Sequence, residues 1–225
     1  DFGNSTLKAG FIAERLKVEN TDGKYISTTP PGTSAQIFDW NNFLGVNLQY
    51  SVLHSNHPRF PSRGYQFVSG ISYKKNISTA NRDFFQLTGA FSFYLPLGKM
   101  VLAHRIGAAV NMGDYEFYHA NTLGGNVNLR GYLRTRFTGT ASFFQNTELR
   151  FTIADLKGFV FKGKLGGYSF VDDGRVWVKE EDSNKIHMGY GMGIFFVPFN
   201  AATLNLSVGT SGETTILRFG LAFFY

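Results

Sequence analysis

The chain of 225 residues lacks cysteine altogether and has only six prolines. Without cysteine it has neither a disulfide framework nor a thiolate metal site. It also lacks any run of about 18 apolar residues, the length that a membrane-spanning helix needs. Its first ten residues, DFGNSTLKAG, have no apolar signal-peptide core, and the first residue is not methionine. We therefore expect a mature or partial chain, and not a helical membrane protein.

Motifs for catalysis, metal binding and nucleic-acid binding are also missing. The net charge is +6, but the basic residues are dispersed and form no Lys/Arg-rich run, so we expect no nucleic-acid partner. The five histidines lack metal-ligand spacing, and no G-x-S-x-G motif occurs. GYGMGIF, residues 189–195, alternates glycine with larger residues. This pattern indicates a strand whose inner face carries small residues, and is less typical of a phosphate-binding loop. We predict no catalytic residue, no metal site, no cofactor and no enzymatic activity.

Aromatic residues and glycine are abundant, with 24 Phe, 11 Tyr and 26 Gly, a mixture that favours strands and tight turns. Apolar residues recur at every second position, as in FFQLTGAFSFYL (84–95) and TTILRFGLAFFY (214–225). This period places one apolar and one polar or small face on each segment. We predict about ten strands, near residues 5–18, 40–54, 63–75, 84–97, 100–112, 140–155, 159–173, 187–198, 202–210 and 214–225.

Two all-β architectures fit this alternation. In a soluble β-sandwich the apolar face is the core and the other face is charged and solvated. In a membrane barrel the apolar face meets lipid and the inner face is polar or small. The non-apolar faces here are rich in Gly, Ser, Asn, Gln and Thr, and strands of about 10 to 15 residues suit a tilted membrane span. The pattern favours an antiparallel transmembrane β-barrel in contact with outer-membrane lipid.

The connections between the predicted strands indicate how the barrel is oriented and how many domains the chain has. Short connections such as 155–159 and 198–202 are expected to be periplasmic turns, and the longer 19–39, 113–139 and 174–186 to face outward. No linker or long repeat interrupts the chain, so we treat residues 1–225 as one domain without periplasmic modules.

A group of charges falls on the faces that this pattern assigns to the interior. Glu148 and Arg150 share the polar face of one predicted strand, and Asp172 lies on that of the next, with Lys162 and Lys164. Arg130 lies in the long connection before them. Charges excluded from lipid are expected to pair with one another; the alternative is a set of solvated charges that line a wet pore.

Five segments resemble those of the BamA-type outer-membrane assembly factors, or bacterial surface antigens. HPRFPSRGYQFVSG (57–70) resembles the family's proline-x-x-glycine strand start, and LGGNVNLRGY (123–132) resembles its hallmark loop motif. TELRF (147–151) and GGYSFVDDGRVW (166–177) are similar to the two strands that follow. RFGLAFFY (218–225) is similar to the C-terminal targeting signal.

The resemblance implies that the loop carrying Arg130, Gly131 and Tyr132 folds back into the barrel. Arg130 would then meet Glu148 on one strand and, on the next, two further residues that the family motif places there, Phe170 and Asp172. The five donors of a guanidinium suit a bridge between carboxylates of two strands, and lysine would serve less well. Gly131 would permit the close turn and Tyr132 would pack on the wall. We name this arrangement the lumen latch, defined by Arg130, Gly131, Tyr132, Glu148, Phe170 and Asp172.

The resemblance also implies a function in the bacterial outer membrane. The last strand would pair weakly with the first to form a lateral seam, and its backbone edge would template strands of unfolded outer-membrane proteins. Accessory lipoproteins are possible partners. The seam and C-terminal signal residues are Phe219, Gly220, Leu221, Phe223 and Tyr225. The alternative is a barrel that anchors or exports an upstream hydrolase passenger, a patatin-type lipase or a metallophosphatase.

The predicted strand number departs from the family. Its members have about sixteen strands, together with periplasmic modules or a passenger. The chain is therefore expected to be the C-terminal portion of a larger barrel, although ten strands could also close on their own.

Overall fold

The computed structural model describes residues 4–24, 35–58, 60–78, 82–158, 162–179, 184–199, 202–223 and 225. Twelve strands occur in these residues, and the predicted all-β class is confirmed. The strands are β1 (Ser5–Leu16), β2 (Asn41–Ser55), β3 (Gly64–Asn76), β4 (Asp83–Leu97), β5 (Met100–Gly113), β6 (Asn121–Leu123), β7 (Phe137–Gly139), β8 (Ala141–Lys157), β9 (Lys162–Trp177), β10 (His187–Pro198), β11 (Leu204–Ser211) and β12 (Thr215–Gly220). Short 3-10 turns occupy Ala35–Phe38 and Phe117–His119.

Ten of the strands form one antiparallel sheet in the order β1-β2-β3-β4-β5-β8-β9-β10-β11-β12. Each long strand pairs with the next long strand along the chain, as in an up-and-down barrel. The two short strands, β6 and β7, pair with each other inside the connection from β5 to β8. Within the described residues, β1 and β12 are the two edges of the sheet, and each pairs with one neighbour.

The two faces of the sheet differ as the alternation predicts. On β4, Phe85 and Phe91 are 45% and 42% exposed, whereas Phe84 and Tyr94, on the opposite face, are 2% exposed. Large apolar side chains such as Met192 also point outward from the other strands. A soluble protein rarely exposes so continuous an apolar surface, so this face is the one that meets lipid. None of the helices in the described residues is long and apolar enough to cross a membrane.

The strand ends divide the connections into two groups. The short connections 98–99 and 199–203 lie at one end of the sheet. The long connections 17–40, 114–140 and 178–186 lie at the other, together with the shorter connections 77–82 and 212–214. This separation follows the predicted pattern. Which end faces the periplasm stays a prediction.

Two predicted strand ends were wrong. β9 continues to Trp177 and does not end near residue 173. β12 ends at Gly220 and does not run to residue 225. Beyond Gly220 the chain turns, so Phe223 packs in the interior and does not continue the lipid-facing row of Leu217. The aromatic partners available inside, described below, explain why the alternation stops there.

Candidate functional site

The connection from β5 to β8 folds back against the inner face of the sheet. Leu123 and Leu129 are fully buried and form a small core with Phe144 of β8. The segment turns back on itself through a bridge between Gly125 and Leu129. Burial of these two leucines requires a partner surface, which the inner faces of the neighbouring strands provide.

An asparagine fixes the shape of this segment. The side chain of Asn128 accepts a hydrogen bond from the backbone N–H of Gly124 (2.8 Å) and donates one to the carbonyl oxygen of Thr122 (2.8 Å). Asn146 of β8 in turn donates to the carbonyl oxygen of Asn128 (2.8 Å). These bonds satisfy backbone groups that would otherwise be buried without partners.

Arg130 lies at the centre of the buried contacts. Its Nε donates to Oδ2 of Asp172 (2.7 Å), its Nη2 to Oδ1 of the same residue (2.7 Å), and its Nη1 to Oε1 of Glu148. Its backbone N–H also donates to Asp172 Oδ2 (3.0 Å). The guanidinium carbon lies 3.7 Å from the centre of the Phe170 ring. One side chain of the loop therefore joins β8 and β9.

The charges of this cluster are removed from solvent. Arg130 is 3% exposed, and Glu148 and Asp172 are 0% exposed. Burial alone lowers the pKa of Arg130, but the two carboxylates outweigh it and raise the pKa above its usual value. Arg150 holds the second oxygen of Glu148 at 2.7 Å. Two cations and two carboxylates thus balance one another, as a buried charge cluster must.

The next two residues of the loop contact the end of β11, the turn that follows it and β12. The carbonyl oxygen of Gly131 accepts hydrogen bonds from the hydroxyls of Ser211 (2.8 Å) and Thr214 (2.7 Å). Nη2 of Arg218 donates to the carbonyl oxygen of Tyr132 (2.8 Å). Sequence reasoning missed these three side chains as partners of the loop. The only signal was the alternation, which assigns Arg218 to the inner face.

The ring of Tyr132 is buried between the loop and the sheet. The residue is 5% exposed, and its hydroxyl donates to the carbonyl oxygen of Met188 (3.2 Å). The ring meets that of Phe137 edge-on, with 5.1 Å between ring centres. The loop is thus bound to β10 as well as to β8, β9 and β12.

Glycine makes the close approach of the loop possible. Gly131 has a φ of +89°, a conformation that L side chains rarely adopt. A Cβ on Gly189 of β10 would lie 1.9 Å from the carbonyl oxygen of Arg130. The small inner face predicted for residues 189–195 therefore accommodates loop backbone.

Phe223 and Tyr225, close to the end of the chain, enter the same interior. The Phe223 ring lies 5.1 Å from that of Phe195, and the guanidinium carbon of Arg150 lies 3.9 Å from the centre of the Phe223 ring. The Tyr225 hydroxyl donates to the carbonyl oxygens of Ala103 (2.9 Å) and Asn146 (3.0 Å). Because Arg150 also binds Glu148, this tail is connected to the charge cluster.

The structure does not bring together all the residues singled out from the sequence. Phe219 and Leu221 are 67% and 69% exposed on the outer face, away from Phe223 and Tyr225. The lysines of β9 do not join the charge cluster: Lys162 is exposed, and Lys164 lies near Phe60.

The family model named Omp85 superfamily domain matches residues 2–211, which is most of the chain. The chain belongs to the Omp85 superfamily. The structure is also similar to the crystal structure of BamA from Haemophilus ducreyi lacking POTRA domains 1-3. The TM-score is 0.71 at 17% sequence identity, and the match covers 97% of this chain and 52% of that chain. No curated protein matches the chain.

The family and the fold establish the architecture and the location. The Omp85 chain is a bacterial outer-membrane β-barrel protein, as the sequence predicts. The chain spans about half the length of the solved structure that it matches.

Proposed function

We propose that the chain is the C-terminal portion of an outer-membrane barrel that inserts other barrel proteins, with β12 as one side of a lateral seam. The observation that carries this proposal is the backbone edge of β12, which pairs on one side with β11. Unpaired N–H and C=O groups are costly in lipid and attract an added strand. Such an edge can template an incoming strand by β-augmentation.

The shortness of β12 supports this role. The strand has six residues, and the chain leaves the sheet at Gly220. Asn205 of β11 pairs with Gly220, and its side chain donates to the carbonyl oxygen of Ala222. A strand this short can form only a few backbone hydrogen bonds with a partner on its free edge. Few of them would therefore have to break when that edge exchanges one partner strand for another.

The lumen latch would hold the wall beside the seam while the seam opens. Arg130 binds β8 and β9, and Gly131 and Tyr132 accept hydrogen bonds from Ser211, Thr214 and Arg218. These contacts do not involve the outer edge of β12. We propose that they keep β8 to β12 together as a unit, so that opening is confined to the edge.

The proposal includes partners outside this chain. The two sheet edges need strands to cover them in lipid, and the matched structure is about twice as long as the chain. We propose that further strands complete a larger barrel, with periplasmic modules upstream and accessory lipoproteins as partners. The clients would be unfolded outer-membrane proteins.

Site-specific photocrosslinking tests the seam. A photoreactive amino acid would replace Leu217 on β12 in the full protein, and in a matched control would replace Val208, its paired neighbour on β11. Both side chains face outward, and they are 69% and 40% exposed. We expect adducts with a separate client barrel during its assembly at Leu217 and few at Val208.

The same experiment distinguishes the alternative function. Adducts with an enzymatic segment of the same polypeptide would support a passenger anchor. Equal labelling at Leu217 and Val208, or no client adduct at either position during active assembly, would rule out β12 as the templating edge.

A further inference from the structure

The lipid-facing row of β1 ends in two cations. Along this strand Phe11 is 95% exposed, and the outward positions continue through Ala13 to Arg15 and then Lys17. Glu14, between Ala13 and Arg15, points inward, where it binds Lys74 at 2.7 Å. The alternation therefore places Arg15 and Lys17 on the outer surface, directly after the apolar band. At this depth a membrane changes from hydrocarbon to phosphate headgroups.

Both cations converge on one exposed indole. The guanidinium carbon of Arg15 lies 4.4 Å from the centre of the Trp40 ring, and Nζ of Lys17 lies 5.9 Å from it. Trp40 is 52% exposed. In the part of the chain that the structure describes, neither cation has a carboxylate oxygen within 4 Å. Two like charges held over one ring without a counterion favour an anion between them.

A third cation faces the same side. Lys75 of β3 pairs with Leu44, which pairs with Ala13 of β1, so Lys75 lies in the row just below Arg15. Asp83, the outward carboxylate of β4 at this end, accepts a hydrogen bond from the Tyr73 hydroxyl (3.0 Å). It forms no ion pair with Lys75 among the described residues.

We propose that Arg15, Lys17, Lys75 and Trp40 form a binding site for the phosphate group of a membrane-lipid headgroup. Arginine and lysine are the usual ligands of phosphate oxygens. An indole at the rim of the apolar band anchors the protein at headgroup depth. The apolar row below Arg15 would contact the acyl chains of the same lipid. Charge complementarity and continuity with the lipid-facing surface thus specify a lipid as the occupant.

Lipid binding to the full protein in neutral detergent, measured by native mass spectrometry, tests the site. The probe is phosphatidic acid. Diacylglycerol with the same acyl chains shows the contribution of the phosphate, and inorganic phosphate at the same concentration shows that of the acyl chains. The test variant is R15Q/K17Q. The control is K8Q, which removes an exposed cation from the opposite face of the same strand.

We expect the wild type to bind phosphatidic acid well above diacylglycerol and inorganic phosphate. R15Q/K17Q should weaken that binding about thirtyfold, because each basic side chain near an anionic surface contributes about a fivefold factor. K8Q should bind like the wild type. R15K/K17R, which keeps both charges, should retain binding and thereby separates loss of charge from misfolding.

Three results would overturn the proposal. One is equal affinity of the wild type and R15Q/K17Q for phosphatidic acid. Another is an equal loss in K8Q, which would indicate an effect of net charge alone. The third is inorganic phosphate binding as tightly as phosphatidic acid, which would identify a site for a free anion.

Discussion

At the scale of single residues, the interior depends on one arginine whose desolvation must be offset. A guanidinium removed from water is strongly destabilising unless its donors are satisfied. Arg130 meets this requirement with Asp172 on two N–H groups, Glu148 on a third, and the face of Phe170. The planar fork of arginine fits this arrangement, whereas lysine would present a single point charge.

Removing one partner of this cluster should therefore cost far more than removing an exposed ion pair. We expect Arg130→Ala and Asp172→Ala each to lower the free energy of unfolding by about 3–5 kcal/mol, since each leaves a buried charge uncompensated. The double variant should lose less than the sum of the two. The free energies of unfolding of the wild type, the two single variants and the double variant can be measured by urea unfolding in lipid vesicles, with gel mobility as the readout.

Arg136 provides the matched control for this cycle. It lies in the same loop and pairs with Glu213 at 2.6 Å, but it is half exposed. Arg136→Ala should change the stability by less than about 1 kcal/mol. Simple additivity of Arg130→Ala and Asp172→Ala would contradict direct coupling of the two residues.

Sequence reasoning reached only part of this cluster. The alternation assigned Glu148 and Asp172 to the inner face, and the family motif indicated their meeting with Arg130. The contacts of Ser211 and Thr214 with Gly131 could not be predicted, because a hydroxyl that binds a loop carbonyl leaves no periodic signal. Nor could sequence spacing indicate that Arg150 joins Glu148 to the C-terminal tail.

At the scale of elements, most strand positions were predictable, but the ends of β9 and of the last strand were not. β2, β4, β5 and β10 begin and end within about one residue of the predicted positions, because period two and turn residues both mark their limits. β12 stops early although the alternation continues to Tyr225. Aromatic side chains at alternate positions can pack on lipid or inside an aromatic cluster. The alternation alone therefore does not show where the strand ends, which depends on the contacts available in the interior.

The tail, residues 221–225, should depend on Phe223 for its position. This ring packs on Phe195 and under Arg150, whereas Leu221 is 69% exposed on the outer face. We expect Phe223→Ala to increase the rate at which carboxypeptidase removes the last residues of the folded protein by at least about tenfold, since the lost burial is worth more than 1.4 kcal/mol.

Leu221→Ala is the control, because it removes a similar amount of apolar surface from the same segment without touching the interior. Its digestion rate should stay close to that of the wild type. Equal digestion of the two variants would show that Phe223 does not hold the tail.

At the scale of the whole molecule, the sheet has its apolar surface outside and its polar groups inside. On β2, Leu48 points outward and is 42% exposed, and its neighbour Asn47 points to the inner face, where its side chain would contact a Cβ on Gly10. A charge on the outer face must enter hydrocarbon, whereas a charge on the inner face can reach water or a partner.

Arginine substitutions at these two adjacent positions should therefore have different effects on membrane folding. Leu48→Arg should lower the free energy of unfolding from lipid vesicles by about 2–4 kcal/mol, the cost of arginine near the bilayer midplane. Asn47→Arg introduces the same side chain one residue away and should cost less than about 1 kcal/mol. Urea titration of the vesicle-inserted protein measures both values. Because net charge, strand and depth are nearly identical, a similar loss in the two variants would contradict the assignment of the faces.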